Sequence, residues 1–195
     1  MLLVPAGAFV WSWATFPSDR TPEGAYLRVV KAVNNGRPEE FFAYLETPAQ
    51  HAAYTIRDYR KQSLRLVRER FPEPERARLA AQYEADARAA DGADVFANYA
   101  RQLHWLDRLR RDLSGAKQVE IHGERATVET ARGTRYSFRR RENGIWGLTM
   151  FTATLVSEAE KAARDHRLIQ TAAEDYARAS AVPASAAPES RTQTP

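Results

Sequence analysis

The hydrophobic pattern of this chain changes its period near residue 116. Before that point, apolar residues recur every three or four positions; after it, they alternate with polar residues in short segments. The first spacing lines one face of an α-helix, whereas the second lines one face of a β-strand. We therefore predict that most of the 195 residues form one α+β domain, in which helices come first and a sheet follows.

The alternating region, Lys117 to Leu155, is divided by three turn signals: Gly123-Glu124, Arg132-Gly133 and Asn143-Gly144. Asn-Gly is the most favourable pair for a tight hairpin turn, since both residues tolerate a positive φ. Short turns join neighbouring antiparallel strands, so the pattern predicts a four-stranded antiparallel meander. The last strand, Ile145 to Leu155, is the longest and most apolar, which is typical of a central strand.

Five helical segments are predicted before this sheet and one after it. Capping and proline signals place their starts near Pro22, Pro38, Thr47, Glu75 and Asp94. The fifth helix runs to Leu113, with an apolar stripe that includes Leu103 and leaves Trp105 off the stripe. A capping box from Ser157 to Glu160 predicts that a C-terminal helix begins there and runs to about Ser180.

Two hairpin segments carry a family resemblance. The runs from Gly123 to Val128 and from Arg141 to Leu148 resemble hairpins of the NTF2-like superfamily, in particular of its secreted and lipoprotein-type members. The resemblance implies that the helices pack into the concave side of a curved sheet and leave a cone-shaped cavity. Members usually have fewer helices before the sheet and end on the last strand, so the additional helices could fill or cover that cavity.

The resemblance also implies where a ligand would bind. Enzymes of the isomerase and cyclase types in this superfamily transfer protons inside the cone, and five aromatic residues are candidates to line it and orient an apolar ring: Tyr54, Tyr59, Tyr99, Tyr136 and Trp146. His104 and Asp107 have the spacing of a base and its partner, but helical geometry turns them away from the apolar stripe. We therefore assign no catalytic residue.

Cofactor and metal chemistry find little support in the sequence. The chain has no cysteine, which excludes thiolate catalysis and cysteine-bound metals. It also lacks a glycine-rich phosphate loop and a dinucleotide fingerprint, so no cofactor is predicted. Glu120, His122 and Glu129 share the polar face of the predicted sheet, but a solvated face produces such trios routinely, and no metal site is predicted.

The charge pattern argues against a nucleic-acid partner. The net charge is only +4, and the 29 basic residues are interleaved with 25 acidic ones. The densest basic run lies on the third predicted helix and is interpreted as a solvated face, with contact to anionic lipid or a partner as the alternative. Its members are Arg57, Arg60, Lys61, Arg65, Arg68 and Arg70.

The two ends differ from the domain between them. Residues 1–20 are mainly apolar, too short for a membrane helix of about 20 apolar residues, and similar in length to the core of a signal peptide. We expect export or tethering, hence a cell-envelope or periplasmic location with peripheral membrane contact, although no basic residue precedes the run. A packed segment in a cytoplasmic protein is the alternative. Residues 21–180 form the domain, and 181–195 are expected to be a disordered tail.

These observations favour a non-catalytic binding or accessory domain that holds a small apolar ligand or a protein partner. Two alternatives remain. One is an enzyme of the isomerase or cyclase type acting in the cone, and the other is a structural module that forms homodimers through its sheet.

Overall fold

The structure is a computed structural model that describes residues 17–181. The N-terminal apolar segment and the C-terminal tail predicted above lie almost wholly outside these residues. The helices before the sheet are α1 (Pro22–Asn34), a 3₁₀ helix (Pro38–Tyr44), α2 (Thr47–Arg70), α3 (Glu75–Ala87), α4 (Gly92–Gln102) and α5 (Trp105–Asp112). The strands β1 (Ala116–His122), β2 (Arg125–Thr130), β3 (Arg135–Arg140) and β4 (Trp146–Leu148) follow, and α6 (Thr152–Ala181) comes last.

The four strands form one antiparallel sheet in the order β1-β2-β3-β4, which confirms the predicted meander and the α+β class. Val128 pairs with Tyr136, and Phe138 pairs with Leu148, so their side chains share one face. All four side chains are buried, whereas Ser137 and Arg139 between them are exposed. The sheet therefore has one packed face and one solvated face.

The predicted last strand is wrong in both length and place. β4 has only three residues and lies at one end of the sheet order rather than at its centre. The chain enters α6 at Thr152, so the predicted capping box at Ser157 lies inside the helix. Phe151 and Leu155, which look like strand residues, are four positions apart and are both buried, as the first turn of a helix allows.

The predicted fifth helix is two helices. α4 ends at Gln102, and His104 adopts a left-handed conformation with φ 53° before α5 begins. This break leaves Leu103, a member of the predicted apolar stripe, 47% exposed. It also turns the Trp105 ring inward, where the ring lies 4.5 Å from that of Phe151.

The outer edge of β4 is covered by two segments from the N-terminal half. Leu45 forms an isolated parallel bridge with Leu148, and the Glu46 N–H donates to the Leu148 carbonyl at 3.2 Å. At the start of β4, the Trp146 backbone N–H donates to the Asp19 carbonyl at 3.4 Å, and the Trp146 indole Nε1 donates to the Arg20 carbonyl at 3.1 Å. A Cβ on Gly147 would come within 2.6 Å of the Glu46 backbone, so this close approach requires glycine.

The core is divided into two apolar clusters. The larger cluster lies between the packed face of the sheet and the surrounding helices, and it includes Tyr26, Phe41 and Phe96. The smaller cluster joins α2, α3 and α6, and its members are Leu64, Val67, Phe71, Leu79, Tyr83, Ile169 and Ala173. α6 closes both, because Leu155 belongs to the larger cluster and Ile169 to the smaller.

Candidate functional site

The space between the sheet and the helices is filled by aromatic and aliphatic side chains. Phe41 and Phe96 are fully buried and meet edge to face, with ring centroids 5.1 Å apart. Phe138 and Leu148 from the sheet are each 1% exposed. A ligand at this position would have to displace several large side chains, which costs far more than occupying a formed pocket.

The five aromatic candidates occupy separate environments. Tyr54 is 41% exposed; its ring lies 6.0 Å from that of Phe42. Tyr59 is half-buried on α2, with its ring 5.4 Å from the His166 ring. Trp146 is buried beside the N-terminal segment through its bond to Arg20.

Tyr99 and Tyr136 are both buried in the larger apolar cluster, but their hydroxyl groups have different surroundings. The Tyr99 hydroxyl donates to the Glu158 carboxylate at 3.2 Å. The Tyr136 ring lies 5.6 Å from the Tyr26 ring, and its hydroxyl oxygen is buried without a hydrogen-bond partner among residues 17–181. Burial, followed by the neighbouring Tyr26 phenol, raises the pKa of Tyr136 to about 12. No ring contact joins any two of the five candidates.

A group of polar residues, here called the polar layer, connects α2, α3, α4 and α6. It lies where the apolar clusters meet along α2, since Ile56 belongs to the larger cluster and Leu64 to the smaller. Its members are Arg60, Ser63, Asp86, Tyr99, Glu158, Asp165 and His166.

Arg60 is the charged centre of the polar layer. Its side chain is 7% exposed, and its guanidinium donates to the Asp165 carboxylate at 2.6 Å. The guanidinium carbon also lies 4.7 Å from the centre of the Tyr83 ring, within the range of a cation–π contact. The solvated-face interpretation of the basic run on α2 is therefore wrong for Arg60, although Arg65 and Arg68 are exposed as expected.

The remaining carboxylates of the layer are also held by neighbours. The Asn98 side-chain amide donates to Asp86 at 3.2 Å, and Lys161 lies 3.8 Å from Glu158. Burial raises the pKa of Asp86, and burial together with the nearby carboxylates raises that of Tyr99. Each group thus has a partner that accounts for its position.

Ser63 and His166 form the only pair in the layer that resembles a nucleophile and its base. The Ser63 Oγ lies 3.1 Å from the His166 Nδ1. However, Ser63 is 0% and His166 5% exposed, so a substrate cannot reach the hydroxyl. Asp165, the neighbouring carboxylate, bonds to Arg60 instead. This geometry suits helix packing rather than acyl transfer, which requires an accessible nucleophile.

The outer surface offers a groove between α2 and α6, here called the α2–α6 trough. Small residues, including Ala52, Ala159 and Ala163, keep it open, and its volume is about 530 Å³. The rest of its lining is Thr47, Pro48, His51, Thr55, Tyr59, Val156 and Glu160. Tyr59 is the one sequence candidate of the five that lines it.

The trough continues into a second depression of about 490 Å³, here called the basic depression. The two share Thr47, Pro48 and His51, and the basic depression adds Glu46 and residues 139–143. Arg141 is held in place by donation to the Ala43 carbonyl at 2.8 Å. Arg139 lies 4.0 Å from the Glu46 carboxylate and Arg140 lies 3.7 Å from that of Glu124, but both arginine side chains are 50% exposed and can be reached by a ligand.

Other residues considered from the sequence lie on the surface. Glu120 pairs with Arg135 at 3.1 Å, and Glu129 pairs with Lys117 at 3.4 Å, so both carboxylates of the trio are engaged by cations. His104 is 80% exposed. Within the described range, no helix combines the length and the hydropathy that a membrane crossing needs.

The small residues of the trough carried the signal that the sequence analysis missed. Ala52 on α2 and Ala159 and Ala163 on α6 are small side chains on two helices that run side by side, so they leave a groove at the surface. Comparisons with known proteins add no assignment, because no family model, no curated protein and no solved structure matches this chain.

Proposed function

We propose that this protein is a non-catalytic binding domain that holds a segment of a partner protein in the α2–α6 trough. Three features support the proposal: the filled interior, the closed polar layer and the open trough on the surface. We also propose membership of the NTF2-like superfamily, supported by the antiparallel meander with helices packed on one face. The bundle of α2, α3 and α6 would then be an elaboration specific to this chain.

The observation that carries the proposal is the continuity of the trough with the basic depression. A segment lying along both would place apolar side chains between α2 and α6, against Ala159 and Ala163. Its next residues would lie beside the exposed guanidiniums of Arg139 and Arg140. Charge complementarity therefore predicts a segment in which apolar residues are followed or preceded by acidic ones.

Selection from a random-peptide library, displayed on phage, can test whether the protein binds such a segment. Peptides selected against the full chain are expected to combine apolar and acidic residues, and their affinity is measured by fluorescence polarisation. Ala163→Trp fills the trough and is expected to weaken binding at least tenfold. Arg139→Glu with Arg140→Glu is expected to weaken binding similarly and to reduce its salt dependence. Ala179→Trp, on the exposed distal part of α6, is the matched control and should bind as the parent does.

Two results would contradict the proposal. One is a selection that yields no binding peptide. The other is a set of peptides whose affinity is unchanged by both Ala163→Trp and the double arginine substitution. Circular dichroism of each variant verifies that a loss of affinity does not come from a loss of fold.

A further inference from the structure

The two edges of the sheet differ in how they are protected. The β4 edge is covered by Asp19, Leu45 and Glu46, as described above. No segment between residues 17 and 181 pairs with the outer edge of β1. β1 is also the longest strand, with seven residues, whereas exposed edge strands are usually short.

The hydrogen-bond ladder determines which backbone groups of β1 face outward. The Arg140 N–H donates to the Glu124 carbonyl, and the Thr130 N–H donates to the Thr134 carbonyl. These bonds make Arg125–Arg139 a non-hydrogen-bonded pair of the β2–β3 ladder. By alternation, the backbone groups of Ala126 and Val128 face β3, and those of Arg125 and Thr127 face β1.

The partners of these residues on β1 follow from the register. Thr127 pairs with Glu120, and Arg125 pairs with His122, so the backbone groups of Glu120 and His122 face β2. The backbone groups of Val119 and Ile121, which alternate with them, must point away from the sheet. Each can donate and accept one hydrogen bond at the open edge.

The side chains at this edge are compatible with a partner strand. Ile121 is 55% exposed although it lies on the same side of the sheet as the buried Ala126, its paired residue. β1 contains no proline, and its charged residues, Lys117 and Glu120, balance each other. An exposed β-branched residue beside unpaired backbone groups is a template for strand addition.

We propose that the occupant is a second copy of this chain, added antiparallel through β1 with a two-fold axis at Glu120. Val119 of each copy then lies opposite Ile121 of the other, and the outward backbone groups of both residues meet in four hydrogen bonds. This apolar cross-strand pair covers Ile121. The two sheets become one eight-stranded sheet, and neither copy retains an open β1 edge.

The charges at the edge fit this register. Glu120 lies opposite its own copy, but each carboxylate already has the Arg135 guanidinium at 3.1 Å. Lys117 of one copy comes next to the turn of the other that contains Glu124, a residue of opposite charge. Both side chains have a partner within their own copy, Glu129 and Arg140 respectively, but each is about two-thirds exposed and can share its charge across the interface. Gln118 lies opposite His122, so each amide meets an imidazole.

Because the chain has no cysteine, single cysteines can test the register directly. Glu120→Cys places two thiols in a non-hydrogen-bonded antiparallel pair, where Cα atoms are about 4.5 Å apart and a disulfide can form. Under mild oxidation we expect most of this variant to form a covalent dimer on a non-reducing gel. Gln118→Cys and His122→Cys are matched controls, since each lies about 13 Å from its own copy and should remain monomeric alone.

Mixing the Gln118→Cys and His122→Cys proteins should restore the covalent dimer, because the register brings these two positions opposite each other. The oligomeric state of the parent protein, which has no cysteine, is measured by light scattering after size-exclusion chromatography, at protein concentrations from micromolar to hundreds of micromolar. Ile121→Lys, which changes an already exposed side chain, is expected to make the protein monomeric across this range.

A parent protein that is monomeric at all of these concentrations would overturn the proposal. So would covalent dimers that form equally well through positions 118, 120 and 122. The β1 edge and the α2–α6 trough share no residue, so the peptide-binding result for Ala163→Trp does not depend on the outcome here.

Discussion

The Arg60 guanidinium and the Asp165 carboxylate, 105 positions apart in the chain, meet at 2.6 Å between α2 and α6. They lie where the larger and smaller apolar clusters adjoin, and only about a quarter of the Asp165 side chain is exposed. The pair therefore aligns two long helices at the point where apolar packing alone would not fix their relative position.

Asp165→Ala is expected to lower the free energy of unfolding by about 3 kcal/mol, because it leaves the buried Arg60 cation without its partner. Adding Arg60→Met should recover part of that loss by removing the unpaired charge. Urea denaturation measures both. The control is Glu84→Ala, which breaks exposed contacts with Arg68 and Arg88 and should cost about 1 kcal/mol or less. Equal losses for Asp165→Ala and Glu84→Ala would disprove this role for Arg60.

Replacing Tyr26 or Tyr136, whose rings are in contact, by phenylalanine should change the free energy of unfolding in opposite directions. Tyr136→Phe removes a buried hydroxyl that has no hydrogen-bond partner within residues 17–181, so it should raise stability by about 1 kcal/mol. Tyr26→Phe removes a hydroxyl that donates to the Ser114 carbonyl at 2.6 Å and should lower stability by about 1 kcal/mol. Thermal unfolding of the two variants compares them. A loss of stability in Tyr136→Phe would show that its hydroxyl does find a partner.

Gly147→Ala should destabilise the protein by about 2 kcal/mol, because its Cβ would meet the backbone of Glu46 at 2.6 Å and force apart the segment that covers β4. Gly115→Ala is the matched control. Apart from its two chain neighbours, no atom of residues 17–181 lies within 4 Å of the Cβ position there, so the change should be neutral or slightly stabilising. Chemical denaturation of both variants is the measurement. Similar denaturation midpoints for the two variants would contradict the close approach of the Gly147 and Glu46 backbones.

Stability should decrease as the pH falls below 6.5, in part through His166. Burial lowers the pKa of this imidazole below its ordinary value of 6.5, while the unfolded chain keeps that value. The unfolded state therefore binds the proton first, and stability present above pH 6.5 is lost as the pH falls through the folded-state pKa. The groups packed around the ring are Tyr59, Ser63 and the Arg60–Asp165 pair.

His166→Asn should reduce the difference between the free energies of unfolding at pH 7.5 and pH 5.5. His104→Asn, at a position 80% exposed, should leave that difference unchanged. The same pH dependence in the parent and in His166→Asn would assign the effect to other groups.

The architecture was predictable from local patterns, and its long-range contacts were not. Turn signals at Gly123, Gly133 and Gly144 identified the meander, and all three glycines have a positive φ in the structure. The segment before Leu155 was ambiguous, because a short apolar run fits both a buried strand and the first turn of a helix. No glycine or proline marks the break at His104, so the sequence pattern continued through it.

In the candidate site too, the individual residues could be identified from the sequence, but their long-range contacts could not. Arg60 belongs to a basic run of α2, and its burial depends on Asp165 and Tyr83, which come from two other helices. Tyr59 was identified for its aromatic ring, yet the trough that it lines exists because α6 runs beside α2. The pattern of a single sequence describes one helix or strand at a time, so it does not predict which residues of different helices come into contact.

Because α6 closes both apolar clusters, the order in which the chain is synthesised matters. Until Leu155 and Ile169 have left the ribosome, each apolar cluster lacks the part of its cover that α6 provides, and the emerging polypeptide exposes apolar side chains to water. Nascent chains arrested after residue 150 should be digested rapidly by a protease, whereas chains released after α6 should resist it. Folding to the protease-resistant state is thus expected to require the synthesis of α6.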